Sequence, residues 1–558
     1  MYEVGFKYKA YREYVHPLSL LLAIALFVII GVVVFALPFF FRGSLIKPLD
    51  KLLAGVEQVN EGNLDTVIPI TVHDEIGFLA NSFNIMVASV KDAKQKLQDY
   101  AENLEEKVEE RTQELQETLN EVQALKRQQD GDYFLTTLLI KPLGVNQSHS
   151  ETTNVDFLIK QKKEFEFRHW KNDIGGDINI AHNINLKGKP HIVFLNADAM
   201  GKSMQGAGGA LVLGAVFHSI IERTKLSSTA QDLYPERWLR NAFIELHKVF
   251  VSFDGSMLIS LVMGLLDESS GLMYYMNAEH PWTILYRDGK ASFIENELDY
   301  RKLGTTGVES ELAVRTFQLQ PRDVILLGSD GRDDILMGTD EEGTRIINED
   351  ENQILSLIER ADGDLDELFT VIQRVGELTD DLSMLRLGYK ETDDSHHKPL
   401  VGDQIQPLIR DANVAIKKGD LEAAVRHLED AYHIDERQPE IVQKLTKLFF
   451  KLKNFKKAAY YAEDYIYLRP NESEYVYLAS YCHKMQGNLV KATDLGERLR
   501  LRDPHLVKNL INLSDIYALQ KNFDRADKLI DQAIELDPEN KKAADIKKAL
   551  QGHLNAAK

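Results

Sequence analysis

The sequence predicts a multidomain α+β chain, and three observations carry that reading. An uncharged apolar run lies near the start, a central region mixes short strand patterns with helices, and a 34-residue period marks the last quarter. At 558 residues the chain exceeds one ordinary core and divides into several domains. The expected order is a flank (1–17), a transmembrane helix (18–41), paired helices (42–86), a coiled coil (87–130), a strand-rich domain (131–390), a linker (391–404) and helical repeats (405–554). A formal charge of -20 and a pI near 5.3 exclude a nucleic-acid surface, which needs clustered Lys and Arg. The single cysteine, Cys482, rules out an internal disulfide framework and fits a reducing compartment.

From Leu18 to Phe41 the chain carries no charge. At about 1.5 Å per residue this run crosses a hydrocarbon layer of roughly 30 Å. A cleaved signal peptide is the competing reading, but its apolar region is shorter and ends in small residues, whereas this one ends Pro38-Phe39-Phe40-Phe41. Lysine and arginine flank both sides, so charge does not set the orientation.

After the span, Pro48 stands where a helix begins, and Leu49, Leu52, Leu53, Val56 and Val59 continue with helical spacing. Glu61-Gly62-Asn63 breaks that helix, and Asp74 is the expected N-cap of a second one opening Glu75-Ile76-Gly77. An amphipathic juxtamembrane hairpin would share these features. Two short helices, a connector, Pro48, Glu61-Gly62 and Asp74-Glu75-Ile76-Gly77 together resemble a HAMP domain, which implies a parallel dimeric four-helix bundle on the cytoplasmic side.

A seven-residue pattern then runs through Val87, Lys94, Ala101, Val108, Leu115 and Val122, with a second series at Val90, Leu97, Leu104, Arg111, Thr118 and Leu125. Nine of these twelve positions are apolar, the signature of a helix that pairs with a second copy in a homodimer. Lys94, Arg111 and Thr118 interrupt the seam. Asp130-Gly131-Asp132 is expected to end the coil.

From Tyr133 short runs read as strands: 165–167, 191–195, 257–265, 271–276, 282–286, 323–327 and 383–387. Helices are expected at 206–223, 236–251 and 351–361. This order implies two packed sheets flanked by helices. Four acidic motifs punctuate the region: Gly175-Gly176-Asp177, Asp198-Ala199-Met200-Gly201, Ser329-Asp330-Gly331 and Asp380-Asp381. Carboxylates without cysteine or a paired-histidine helix motif suit hard cations such as Mg²⁺ or Mn²⁺ rather than zinc.

Together with Asn277-Ala-Glu-His280-Pro281 and Thr379-Asp380-Asp381-Leu-Ser383, these motifs resemble, in order, those of the SpoIIE-like branch of the PPM (type 2C) serine/threonine phosphatases, over roughly Tyr133 to Tyr389. The resemblance implies an αββα sandwich binding two Mn²⁺ or Mg²⁺ ions and hydrolysing phosphoserine or phosphothreonine on proteins. It implies that Asp177 bridges both metals, that Asp198 and the Ala199 carbonyl hold one, and that Asp330 and Asp380 hold the other, with Asp381 the lesser candidate. Two such ions polarise phosphoryl oxygens and make hydroxide available near neutral pH, so no nucleophilic side chain is needed. The chain departs from the usual pattern in Asp198-Ala-Met-Gly-Lys-Ser203 and in Arg332-Asp333-Asp334 after Gly331.

Several other features read as structural. Gly201-Lys202-Ser203 lacks the upstream glycine of a phosphate loop, the position being Asn196. Gly206-Ala-Gly-Gly209 suits close helix packing, His280 before Pro281 shapes a turn, and His396-His397 sits in a polar linker.

In the last quarter Leu421, Phe455, Leu489 and Phe523 recur every 34 residues, as do Ala424, Ala458, Ala492 and Ala526, with Pro470, Pro504 and Pro538 at the same interval. This period resembles tetratricopeptide repeats. Four units over about 405–540, capped by 541–554, imply a solenoid that binds a protein or peptide in its groove.

The combined reading is a single-pass protein of the bacterial inner (cytoplasmic) membrane, with catalytic and repeat domains in the cytoplasm. Its substrate would be a phosphoprotein, for which the family offers an anti-sigma-factor antagonist. The alternative is a catalytically silent membrane scaffold that recruits partners through the solenoid. A histidine kinase is disfavoured, because no phosphoacceptor histidine precedes an ATP-binding glycine pattern.

Overall fold

A computed structural model describes residues 19–30, 46–70, 75–298, 300–307, 312–339, 344–391, 402–436 and 438–557. The chain divides into two compact units, 1–125 and 126–558.

In the first unit, Ser19–Ile30 is a helix whose apolar side chains are exposed, Phe27 at 82%. The rest of the expected span lies outside the described residues. Helix Ile46–Asn60 closes with the Asn63 N–H donating to the Gln58 carbonyl at 2.9 Å. The connector then buries Ile68 beside Gly55. Asn84 grips it from the second helix: its Oδ1 accepts the Ile68 N–H and its Nδ2 donates to the Ile68 carbonyl, both at 2.8 Å. The expected N-cap Asp74 lies outside the described residues.

The second helix runs unbroken over Glu75–Ile140, so Asp130-Gly131-Asp132 does not end it. Aromatic packing is the reason for this correction. Phe134 stacks on Phe167 at 5.2 Å between ring centroids, and Tyr133 meets Phe165 at 5.6 Å. Gly131 fits the chain against the Phe167 ring, where a larger residue would crowd it. The helix is therefore held past the point where its seam stops.

The second unit opens with a four-layer sandwich. A six-stranded sheet takes the order 146–147, 177–186, 189–199, 259–267, 272–278 and 315–318, and a five-stranded sheet the order 290–293, 284–287, 324–328, 382–389 and 153–160. Helices Met204–Leu226 and Pro235–Val251 cover the first sheet; Gln353–Arg360 and Leu365–Val375 cover the second. Because strands 259–267, 272–278 and 324–328 are buried on both faces, they read as nearly continuous apolar runs. Along His191–Leu195, Ile192 and Phe194 enter the core between the sheets, while Val193 and Leu195 face Leu213, Phe217 and Phe243 of the outer helices. Met204–Leu226 is long and apolar enough to cross a membrane, but half of it is buried and it serves as a core helix.

The solenoid follows as four helix pairs from Gly402 to Leu536, with Lys541–Ala557 after them. Leu421, Phe455, Leu489 and Phe523 each open the second helix of a pair. Ala424, Ala458, Ala492 and Ala526 are fully buried where the helices touch. The period extends to the caps, since the side chains of Asp420, Asn454, Asn488 and Asn522 each accept a backbone N–H three residues on.

The solenoid is docked on the sandwich. Arg498 and Arg502 close on Glu236, the Val314 N–H donates to the Leu501 carbonyl at 2.6 Å, and Arg237 pairs with Asp494 at 3.2 Å.

Candidate active site

All the acidic motifs come to one end of the sandwich, because each sits where a central strand starts or stops. Asp177 opens its strand and Asp198 nearly closes the next, and the two stand opposite each other in register. In the other sheet, Gly328 pairs with Met384, so Asp330, just after its strand, and Asp380-Asp381, just before theirs, arrive together. Two glycines make the approach possible. A Cβ on Gly176 would collide with the Ala199 carbonyl oxygen, and one on Gly331 with the Asp381 carbonyl oxygen.

Asp177 is buried. Its Oδ2 accepts from the Ser329 hydroxyl at 2.6 Å, while its Oδ1 has no partner. The Ser329 hydroxyl also accepts the Ser383 N–H at 2.9 Å and so ties the two sheets together under the carboxylates. Asp381 accepts the Lys162 N–H at 2.6 Å and the Gly176 N–H at 3.0 Å, one on each oxygen, which makes it a clamp on the strand leading into Asp177.

Beneath lies a buried polar chain. Asn196 Nδ2 donates to Asn179 Oδ1 at 2.6 Å and to Ser383 Oγ at 2.8 Å, and its Oδ1 faces His280 Nε2 at 2.7 Å. His280 Nδ1 lies 3.0 Å from Ser260 Oγ. With both Asn196 amide hydrogens spent, Oδ1 must accept, so the His280 proton sits on Nε2. Burial, with Arg332 and Lys302 nearby, pushes its pKa down to about 3. His280 does occupy a turn, its N–H donating to Asn277 Oδ1 at 2.9 Å, and it also supports the floor of the site.

The carboxylates repel one another. Burial and then Asp198 hold Asp177 well above the usual carboxylate range. Burial and then Asp330 push Asp198 up to about 7, with Asp380 and Asp381 adding to the effect. Asp330 is raised by burial, Asp334 and Asp380. Asp334, which the sequence offered only as a departure from pattern, joins the cluster: its pKa is raised by burial and Asp380, and its carbonyl anchors Thr379 through N–H and hydroxyl at 3.1 and 2.8 Å.

Among the described residues, no three His, Cys, Asp or Glu side chains form a ready-made metal cage. The donor set nonetheless fits hard cations. It consists of carboxylates that disfavour their own ionisation, one of them buried with an unpartnered oxygen, and the Ala199 carbonyl lies over Gly176 next to Asp177.

The model of Stage II sporulation protein E (SpoIIE) matches residues 188–390, that of the HAMP domain 40–92, and that of a tetratricopeptide repeat 507–540. Curated relatives include the methyl-accepting chemotaxis protein McpA of Bacillus subtilis (strain 168), 33% identical over 84 residues, covering 15% of this chain and 12% of McpA. The heme sensor protein HssS of Staphylococcus aureus (strain JH9) is 29% identical over 143 residues, covering 25% of this chain and 30% of HssS. The chain thus spans less than a third of the length of these relatives. Among solved structures, the RsbU and RsbW domains of Rv1364c from Mycobacterium tuberculosis align with TM-score 0.34 and 15% identity, covering 52% of this chain and 78% of that one. The PP2C phosphatase domain with a regulatory fragment of SpoIIE from Bacillus subtilis aligns with TM-score 0.32 and 12% identity, covering 44% and 64%. This multidomain α+β chain carries a SpoIIE-type domain, a HAMP domain and tetratricopeptide repeats.

Proposed function

We propose that the chain is a membrane-anchored signalling phosphatase that hydrolyses phosphoserine or phosphothreonine on a partner protein. The supporting observation is the buried Asp177 carboxylate, opposite Asp198, with one oxygen fixed by Ser329 and the other unpartnered. A carboxylate buried this way is either protonated or matched by a cation, and a bound metal ion would supply that cation.

In this reading Asp177 would serve both of two Mn²⁺ or Mg²⁺ ions, Asp198 and the Ala199 carbonyl would hold one, and Asp330 and Asp380 would hold the other. When bound, such ions supply Lewis-acid charge and a hydroxide near neutral pH. The protein's part is to fix the donors. Ser329 orients Asp177, Asp381 clamps the Gly176 backbone, and Asn179 and Asn196 tie the two sheets together below by donating to the Met384 carbonyl and the Ser383 hydroxyl.

The HAMP domain and the apolar helix near the start support a single-pass location in the bacterial inner membrane with the catalytic and repeat domains in the cytoplasm. The long helix supports a homodimer, since its seam residues are exposed within one chain, Leu115 at 69%. The repeats support a protein or peptide partner in the groove, and an anti-sigma-factor antagonist is the proposed class of substrate.

The deciding experiment uses the full-length chain in lipid nanodiscs. Mn²⁺-dependent hydrolysis of a phosphoserine peptide is expected in the native protein and lost in Asp330→Asn. Equal, metal-independent rates for the two proteins would leave the chain as a catalytically silent scaffold.

A further inference from the structure

Residues 300–304 are pinned to the carboxylate end of the six-stranded sheet. Tyr300 bridges Ala278, and Leu303 exchanges both backbone hydrogen bonds with Ile259 at 2.8 and 3.2 Å. Ile259 is in turn the register partner of Ala199. Tyr300 and Leu303 are both buried, and the Tyr300 hydroxyl closes the loop by accepting the Ala313 N–H at 2.6 Å and donating to the Ala313 carbonyl at 2.7 Å. These anchors leave little freedom to the two residues between them, Arg301 and Lys302.

Arg301 pairs with Glu279 at 3.8 Å, which leaves Lys302. Its backbone N–H donates to Glu279 Oε2 at 3.4 Å, and the Thr305 N–H returns to its carbonyl at 3.2 Å. The residue is half-buried, and among the described residues the ion pair at this turn is made by Arg301, not by the Lys302 ammonium. Two interstrand spacings separate Leu303 from Ala199, roughly 10 Å. The lysine charge accordingly bears on Asp198, Asp330 and His280.

A phosphoryl dianion approaching this end of the sandwich meets at least five carboxylates: Asp177, Asp198, Asp330, Asp380 and Asp381. Metal ions would offset part of that charge, but they contact only some of the phosphoryl oxygens. A further donor is needed on the open side, and lysine serves such a role as a flexible point charge. We propose that Lys302 binds the phosphoryl group of the substrate at the rim of the carboxylate cluster. This rests on the phosphatase reading and names the substrate contact that the acidic motifs do not supply.

The test compares the native full-length chain in nanodiscs with Lys302→Met and Lys302→Arg, each checked for an unchanged melting temperature. Three quantities are read in Mn²⁺: KM and kcat for a phosphoserine peptide, the binding of inorganic phosphate by calorimetry, and the affinity for Mn²⁺ itself. Lys302→Met is expected to raise KM and weaken phosphate binding about tenfold, with kcat and Mn²⁺ affinity changed less than about threefold, and Lys302→Arg to recover most of the loss. Unchanged KM and phosphate binding together with an altered Mn²⁺ affinity would overturn the proposal, because Lys302 would then be only a counter-ion of the carboxylates. If the native chain hydrolyses no peptide yet Lys302→Met still weakens phosphate binding tenfold, the phosphate site stands and the phosphatase reading fails.

Discussion

Glu236 and Arg498 form a buried ion pair between the sandwich and the solenoid, 262 residues apart in the chain, with Arg498 Nε 3.0 and 3.1 Å from the two carboxylate oxygens. Arg502 closes on the same carboxylate, and the guanidinium groups lie over the rings of Tyr234 and Tyr274 at 4.5 and 5.6 Å. Burial would raise the Glu236 pKa, but Arg498 and then Arg502 outweigh it and hold the group below its ordinary value. The contact is one fixed interface, and the two domains stand or fall together there.

Glu236→Gln should therefore be costly. It leaves two buried guanidinium groups without their counter-charge, a loss of about 3–5 kcal/mol. Chemical denaturation of the full chain is the measurement, and the sandwich and solenoid should then unfold in separate transitions. A single transition with an unchanged midpoint would show that the ion pair does not hold the domains together.

Asp198→Asn should trade activity for metal-free stability. Its folded pKa of about 7 lies above the ordinary 3.8, so the folded state is penalised as pH rises from about 4 through 7. Without metal at pH 8, the asparagine variant should be more stable than the native chain by on the order of 1–2 kcal/mol. Added Mn²⁺ should raise the Tm of the native chain and leave that of the variant unmoved. Equal Mn²⁺ responses would remove Asp198 from the metal site.

His280 gives the opposite pH dependence. Its folded pKa of about 3 lies below the ordinary 6.5, so the unfolded chain binds the proton first as pH falls. The stabilisation is complete above pH 6.5 and is lost progressively below it. Between pH 7 and 5 this one group should cost about 2 kcal/mol, a slope that His280→Gln should lack. Denaturation curves at the two pH values, native against variant, measure it; parallel slopes would refute the neutral, buried tautomer.

The sequence disclosed what periodicity and motif order can carry. The repeats were legible because a small residue every 34 positions and a terminal proline are local signals, and the helices begin and end where those signals lie. The strand carrying Asp177 was harder. In Asp177–Leu186 the alternation is broken by Asn179, His182, Asn183 and Asn185, residues typical of loops, and two of these, Asn179 and His182, are buried in the sandwich. Helix Leu365–Val375 was readable in principle, since Asp364 caps it and Leu365, Leu368, Val371 and Ile372 share its buried face. No local pattern marked the Glu236–Arg498 interface. Glu236 looks like an acid placed for the helix dipole, and only the fold shows that its partner lies in the third repeat. Lys302 was hidden for the same reason, because its position depends on the pairing of Leu303 with Ile259.

The long helix offers a direct test of dimerisation. Leu97, Leu104, Val108, Leu115 and Val122 form an exposed apolar seam within one chain, an arrangement that water disfavours unless a second copy covers it. Two of the three interruptions are satisfied locally: Arg111 pairs with Glu114 at 2.5 Å, and the Thr118 hydroxyl donates to the Glu114 carbonyl at 2.8 Å. Neither therefore needs a partner across the seam. The native Cys482 is buried and burial pushes its thiol up to about 12, so an introduced cysteine is the only reactive one. Leu104→Cys in membranes should oxidise to a disulfide-linked dimer, whereas Glu106→Cys, on the outer face of the same turn, should stay monomeric on a non-reducing gel. Equal cross-linking at both positions, or none at either, would show that the seam does not join two parallel copies in register.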